Sequence, residues 1–100
     1  MKVEVGGKEY AFRMGWGALY RFETAEPQPF DPKKVRHLHL MYYCVLDNAN
    51  PGLELTFDDF VAALDADPSL SGRLGEAFAR ELETWSGGSG TADEGAEKKS

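Results

Sequence analysis

The composition of this chain changes sharply after Trp85, and that change sets the size of anything it can fold. Residues 86–100, Ser-Gly-Gly-Ser-Gly-Thr-Ala-Asp-Glu-Gly-Ala-Glu-Lys-Lys-Ser, hold no large apolar side chain. Such a stretch buries too little apolar surface to offset the entropy lost on ordering it. The expectation is therefore one folded domain at 1–85 and a disordered, solvated Gly/Ser/charged tail at 86–100. A domain of that size buries roughly 60–65% of the surface its unfolded chain exposes, enough to fold alone with a small margin.

Lys2–Val5, Gly6-Gly7 and Lys8–Arg13 read as a β-hairpin, because Gly-Gly supplies the positive φ angles of a two-residue turn. That turn pairs Val5 with Lys8, Val3 with Tyr10 and Met1 with Phe12 on one face, and sets Glu4 opposite Glu9 on the other. An isolated hairpin is marginal in water, so its apolar face must lie against helices.

Met14–Glu26 has a helical pattern. Trp16, Leu19, Tyr20 and Glu23 lie along one side and Ala18, Phe22 and Ala25 along the other. Pro27 stops it, and Pro27-Gln28-Pro29 makes a stiff connector. Asp31-Pro32 reads as an N-cap with proline at the first helical position. From there to about Asn48, Val35, Leu38, Tyr42, Val45 and Ala49 follow a 3-4-3-4 spacing flanked by Met41, Cys44 and Leu46. This pattern predicts the central, most buried helix. Asn48–Gly52 is a turn by composition. Thr56 and Asp59 form a capping box ahead of the stripe Phe57, Phe60, Val61 and Leu64. Asp67-Pro68 opens a last helix to about Trp85, with Leu70, Leu74, Phe78, Leu82 and Trp85 on one face. The fold class expected is α+β, mainly α: an N-terminal β-hairpin and a compact bundle of about four helices.

Net charge is −6, which disfavours nucleic-acid and anionic-membrane surfaces, both of which select for Lys and Arg. The charge is uneven: residues 53–85 hold eight acidic side chains against Arg73 and Arg80. A single cysteine, Cys44, excludes an internal disulfide, and its apolar neighbours predict an inert core thiol. With no secretory pattern and no membrane-length apolar run, the expectation is a soluble intracellular protein.

Residues capable of chemistry do not assemble into a motif. His37 and His39, two apart on a helix, point about 200° from one another and do not share a metal; they read as solvated or core-edge histidines. Asp58, Asp59, Asp65 and Asp67 lack the glycine and closing glutamate of a calcium loop. Gly15-Trp16-Gly17 is not a phosphate loop and reads as a tight turn between strand and helix, and Ser69, Ser71 and Ser86 lie in no nucleophile motif. The chain is read as no enzyme, with no catalytic residue, no metal and no cofactor. Aromatic side chains are plentiful for so small a core, and Tyr43 and Trp85 are the ones expected to be partly exposed. Tyr43, Phe78, Leu82 and Trp85 form the candidate partner-binding set.

Gly7-Lys8-x-Tyr10-x-Phe12 leads into Ala18-Leu19-x-x-Phe22-Glu23. Tyr42-Tyr43-Cys44-Val45-Leu46, Asn50-Pro51, Leu55-Thr56-Phe57-Asp58-Asp59-Phe60 and Leu64-Asp65-x-Asp67-Pro68 follow in that order. In order and spacing this series, spanning residues 1–85, resembles the phage tail assembly chaperones of long-tailed phages and prophages. One departure is Glu26-Pro27-Gln28-Pro29, where relatives often carry a glycine-containing loop before the position of Phe30. The resemblance implies a non-virion assembly factor in the bacterial cytoplasm, which binds the aggregation-prone tape measure protein, helps recruit tail tube protein, and is absent from the mature virion. It carries over no catalytic residue, no nucleic-acid or membrane role, and leaves self-association open. It also implies a longer product made by programmed frameshifting near the end of the gene, where Lys98-Lys99 fit an A-rich slippery run. Two other classes fit a small acidic domain: a DNA-mimicking inhibitor, and a structural protein of a prophage head–tail junction.

Overall fold

The structure, a computed structural model, describes residues 1–87, with side chains through Trp85. The tail expected from residue 86 falls, beyond Gly87, outside the described residues. Two strands, β1 (Lys2–Val5) and β2 (Lys8–Ala11), precede four helices: α1 (Trp16–Ala25), α2 (Val35–Ala49), α3 (Phe57–Ala66) and α4 (Leu70–Gly87). The architecture is α+β and mainly α, as the sequence pattern predicts.

The hairpin has the expected antiparallel register, Lys2 opposite Ala11, Val3 opposite Tyr10, Glu4 opposite Glu9 and Val5 opposite Lys8. Gly6 and Gly7 sit at φ 61° and 81°, the left-handed values that a tight hairpin turn needs and that side chains with a Cβ resist. Val5 and Phe12 are buried from its inner face, and Val3 and Tyr10 pack partly against the core. The outer edge of β2 is closed by a side chain rather than a strand. The Asn50 carboxamide donates to the Ala11 carbonyl at 2.9 Å and accepts from the Ala11 N–H at 3.1 Å. A flat amide satisfies both groups as a neighbouring strand would, and so blunts an edge open to pairing.

Helix α2 runs through the middle, burying His37, Leu40, Met41, Tyr42, Cys44, Val45 and Leu46, against α1 on one side and α3, α4 and β2 on others. It begins at Val35 rather than at Pro32. Asp31 does cap, but it caps a turn: its carboxylate accepts from the Lys33 N–H at 2.9 Å and its carbonyl from the Lys34 N–H at 3.0 Å. Lys34 is then extended (φ −94°, ψ 122°), which breaks the helical run before α2. Asp67-Pro68 behaves similarly, with Asp67 accepting from the Ser69 N–H at 3.1 Å before α4 starts at Leu70. The capping box of α3 is as expected, Asp59 N–H to Thr56 Oγ1 at 3.0 Å and Thr56 N–H to Asp59 Oδ2 at 3.5 Å. Its stripe is narrower than expected, because Phe60 is buried while Val61 faces out.

Helix α1 is shorter than Met14–Glu26. Met14 is buried and its N–H is held by Glu81 Oε1 of α4 at 3.0 Å, and Gly15 is extended (φ −174°, ψ 170°), so the helix begins at Trp16. Gly15 and Gly17 have an unexpected role. Neither has a positive φ; both lie where α1 crosses the end of α2. A Cβ on Gly17 would collide with the Asn48 carboxamide. Close approach, not turning, is what these glycines allow.

Candidate functional site

Helices α1 and α2 run antiparallel, which the contacts between them fix. Gly17 meets Asn48, the Arg21 Nε–H donates to Asp47 Oδ2 at 3.1 Å, and Glu26 pairs with Arg36. The inner face of α1 supplies Ala18 and Phe22 to the core. Phe22 meets Phe30 and His37 edge-on, with centroids 5.5 and 5.4 Å away. The outer face carries Trp16 and Tyr20, 65% and 66% exposed. These are the largest exposures of any aromatic among the hydrophobic residues facing solvent, and a helix that buries one face normally places charged or small polar groups there.

Trp16 does not stand alone. Trp85, near the end of α4, sets its ring against it edge-on with centroids 5.1 Å apart. Tyr20, one turn further along α1, is a ridge between two depressions. On one side lies a cleft of about 260 Å³ whose lining includes Leu19, Glu23, Pro29, Phe30 and Met41. On the other is a larger groove of about 530 Å³, with Arg21, Thr24 and Ala25 along one wall, Arg36 and Asp47 on the other, and Leu40, Tyr43, Cys44 and Phe57 along its floor. The floor of this groove is apolar and its charges sit at its ends.

Of the sequence-derived binding set, Tyr43 lies in the floor of the groove. Its hydroxyl donates to the Leu55 carbonyl at 2.6 Å and its ring packs on Phe57 and Phe60. Burial, and secondarily the negative charge of Asp47, raise its pKa. Trp85 is partly exposed, as expected, and belongs to the Trp16 pair. Phe78 is buried in the core against Tyr42, and Leu82 is half-buried against the same core. The four therefore do not form one patch. Trp16 and Tyr20, which the residue pattern placed with packing aromatics, are the exposed ones. The usable signal is the small residues on the inner side of α1, Gly17 and Ala18: a neighbouring helix comes close where side chains are small.

The remaining titratable residues are structural. His37 is 2% exposed, deeper than a core-edge position. Its Nδ1 accepts from the Asp31 N–H at 3.0 Å, and its Nε2 lies 3.6 Å from buried Glu26. Glu26 in turn receives Arg36 and the Gln28 N–H. This cluster pins the Pro27–Lys34 connector onto α2. His39 points to the other side of α2 and shares a hydrogen bond of 2.9 Å with Ser71 Oγ of α4, and burial lowers its pKa. Cys44 is buried, and burial pushes its thiol up to about 11, so it is almost wholly un-ionised at neutral pH and a poor nucleophile. Among the described residues, no three His, Cys, Asp or Glu side chains gather where they could hold a metal ion. No helix there is long and apolar enough to cross a membrane.

No protein-family model, curated protein or solved structure matches the chain.

Proposed function

We propose that this chain is a phage tail assembly chaperone: an acidic helical domain that binds the tape measure protein, keeps it soluble, helps recruit tail tube protein, and leaves before the virion is complete. The observation that carries the reading is the aromatic run Trp85–Trp16–Tyr20, exposed on helices α4 and α1 of a small acidic domain. Exposed aromatics fixed on helices are what a holder of apolar helices needs, since Trp and Tyr anchor contacts at little entropic cost. The order of hairpin, helices and connecting turns over residues 1–85 supports the same reading. The role asks for no catalysis, cofactor, metal, nucleic acid or membrane, and its place is the cytoplasm of the bacterial host.

The test is co-expression with the tape measure protein. The wild-type chain is expected to hold it in the soluble fraction, and Trp85→Ala, Trp16→Ala and Tyr43→Ala to release part of it to the pellet. A tape measure protein that stays insoluble with the wild-type chain, or chains found at stoichiometric levels in purified virions, would overturn the reading. At the gene, the same reading expects a slippery heptamer near the codons of Lys98-Lys99 and an overlapping open frame beyond it.

A further inference from the structure

Resting on that reading, we propose that the client enters the groove between α1 and α2 as an amphipathic helix of about three turns, with an acidic residue beside Arg36. A helix is the occupant for a physical reason. The floor, Leu40, Tyr43, Cys44 and Phe57, is apolar, and an extended peptide would bury unpaired backbone groups against it, whereas a helix satisfies its own. The length follows from the wall. Arg36 and Asp47 mark its two ends, and α2 rises about 16 Å between them at 1.5 Å per residue, matching roughly eleven residues of a partner helix.

The charge follows from the ends. At one end Arg21 and Asp47 neutralise each other through the 3.1 Å bond. At the other, the Arg36 side chain gives one N–H to buried Glu26 yet is itself 61% exposed, leaving guanidinium donors facing the groove mouth and water. A carboxylate on the incoming helix completes that fork. Residues 88–100 of this chain cannot be the occupant, because they contain no large apolar side chain.

The test uses two synthetic amphipathic peptides of about fifteen residues, alike in their Leu/Ala face and differing only in Glu or Lys flanks, with binding read by fluorescence anisotropy at physiological salt. The whole chain carries −6, so its overall field favours the Lys peptide. Screening to a Debye length of about 8 Å leaves the local guanidinium to decide. The Glu peptide is expected to bind about tenfold more tightly. Thr24, exposed on the opposite wall, tunes this without disturbing the Glu26 pair: Thr24→Lys is expected to tighten the Glu peptide about threefold and Thr24→Glu to loosen it about threefold. Tyr20→Glu is expected to abolish binding of both peptides with the thermal midpoint unchanged.

Equal affinity for the two peptides, preference for the Lys peptide, or Tyr20→Glu binding as wild type does, each overturns the groove. A wild-type chain that binds no peptide but sediments as a dimer that Tyr20→Glu dissociates overturns it in favour of a second copy on this face. Peptide binding as expected, without any hold on the tape measure protein, removes the chaperone reading and leaves the groove. A tape measure protein held equally well by wild type and Tyr20→Glu does the reverse.

Discussion

On the inner face of α1, Ala18 and Phe22 are sealed against α2 and the connector; on the outer face, Trp16 and Tyr20 stand in water. Both faces are aromatic, so aromatic content does not tell core from surface. What separates them is size next door. The inner side is flanked by residues small enough for α2 to approach, and the outer side is not. The largest expected effect follows directly. Phe22→Ala removes a buried ring in contact with Phe30 and His37 and should cost about 3–5 kcal/mol in urea unfolding. Tyr20→Ala removes a ring of similar size and should stay within about 0.5 kcal/mol. Comparable losses from the two would mean that the outer face is packed after all, and the contrast would collapse.

A smaller effect sharpens where the two faces meet. Gly17 lies on the edge of α1 that touches Asn48, whose Oδ1 also accepts from Arg21 Nη1 at 3.1 Å. In an exposed helix, Gly→Ala gains up to about 1 kcal/mol from helix propensity. Here a methyl group must push the Asn48 carboxamide aside and disturb the Arg21 guanidinium, a strain of about 1–3 kcal/mol. Gly17→Ala should therefore be net destabilising, and the same change in an Asn48→Ala background should turn stabilising. A stabilising Gly17→Ala in the native background would show that α1 and α2 are not in close approach there.

Much of this architecture was legible because local chemistry and tertiary packing agree. The Gly6-Gly7 turn fixes the hairpin register, and Thr56 and Asp59 fix the start of α3. Helix α2 is the central helix, although of its 3-4-3-4 stripe only Tyr42 and Val45 are buried, while Val35 faces water and the flanking Met41, Cys44 and Leu46 are in the core. Elements start late where the backbone is extended just before them. Glu81 holds the Met14 N–H across the fold and His37 the Asp31 N–H, while extended Gly15 and Lys34 set the helix starts at Trp16 and Val35. The Glu81 contact, 67 residues away, is invisible in a local window. Asn50 belongs to a turn by composition, yet its side chain also takes the place of a strand beside β2. The candidate site was legible only in part, for the same kind of reason. Tyr43 and Trp85 are partly exposed, as their places in the pattern predict, but Phe78 belongs to the core. The groove itself exists only once α1 and α2 are set antiparallel by contacts such as Arg21 to Asp47.

Cys44 probes the boundary between groove floor and core with the smallest effect. It lines the groove yet is buried, with its thiol held at about 11, first by burial and then by the charge of Asp47. In the unfolded chain the thiol ionises near its ordinary value of about 8.5. Above that pH the unfolded state sheds its proton while the folded state keeps it, so stability present at neutral pH falls as pH rises toward about 11. The limiting slope is about 1.4 kcal/mol per pH unit, so the loss by pH 9.5 should be about 1 kcal/mol. Tyr42 and Tyr43, whose pKa values are also raised, add the same sign of slope only above about pH 10. Chemical denaturation at pH 7.5, 8.5 and 9.5 should show the decline in wild type and a flatter line in Cys44→Ala, whatever its absolute stability. Parallel lines would place the thiol in contact with water, making the groove floor solvent rather than core and leaving an incoming helix much less apolar surface to gain.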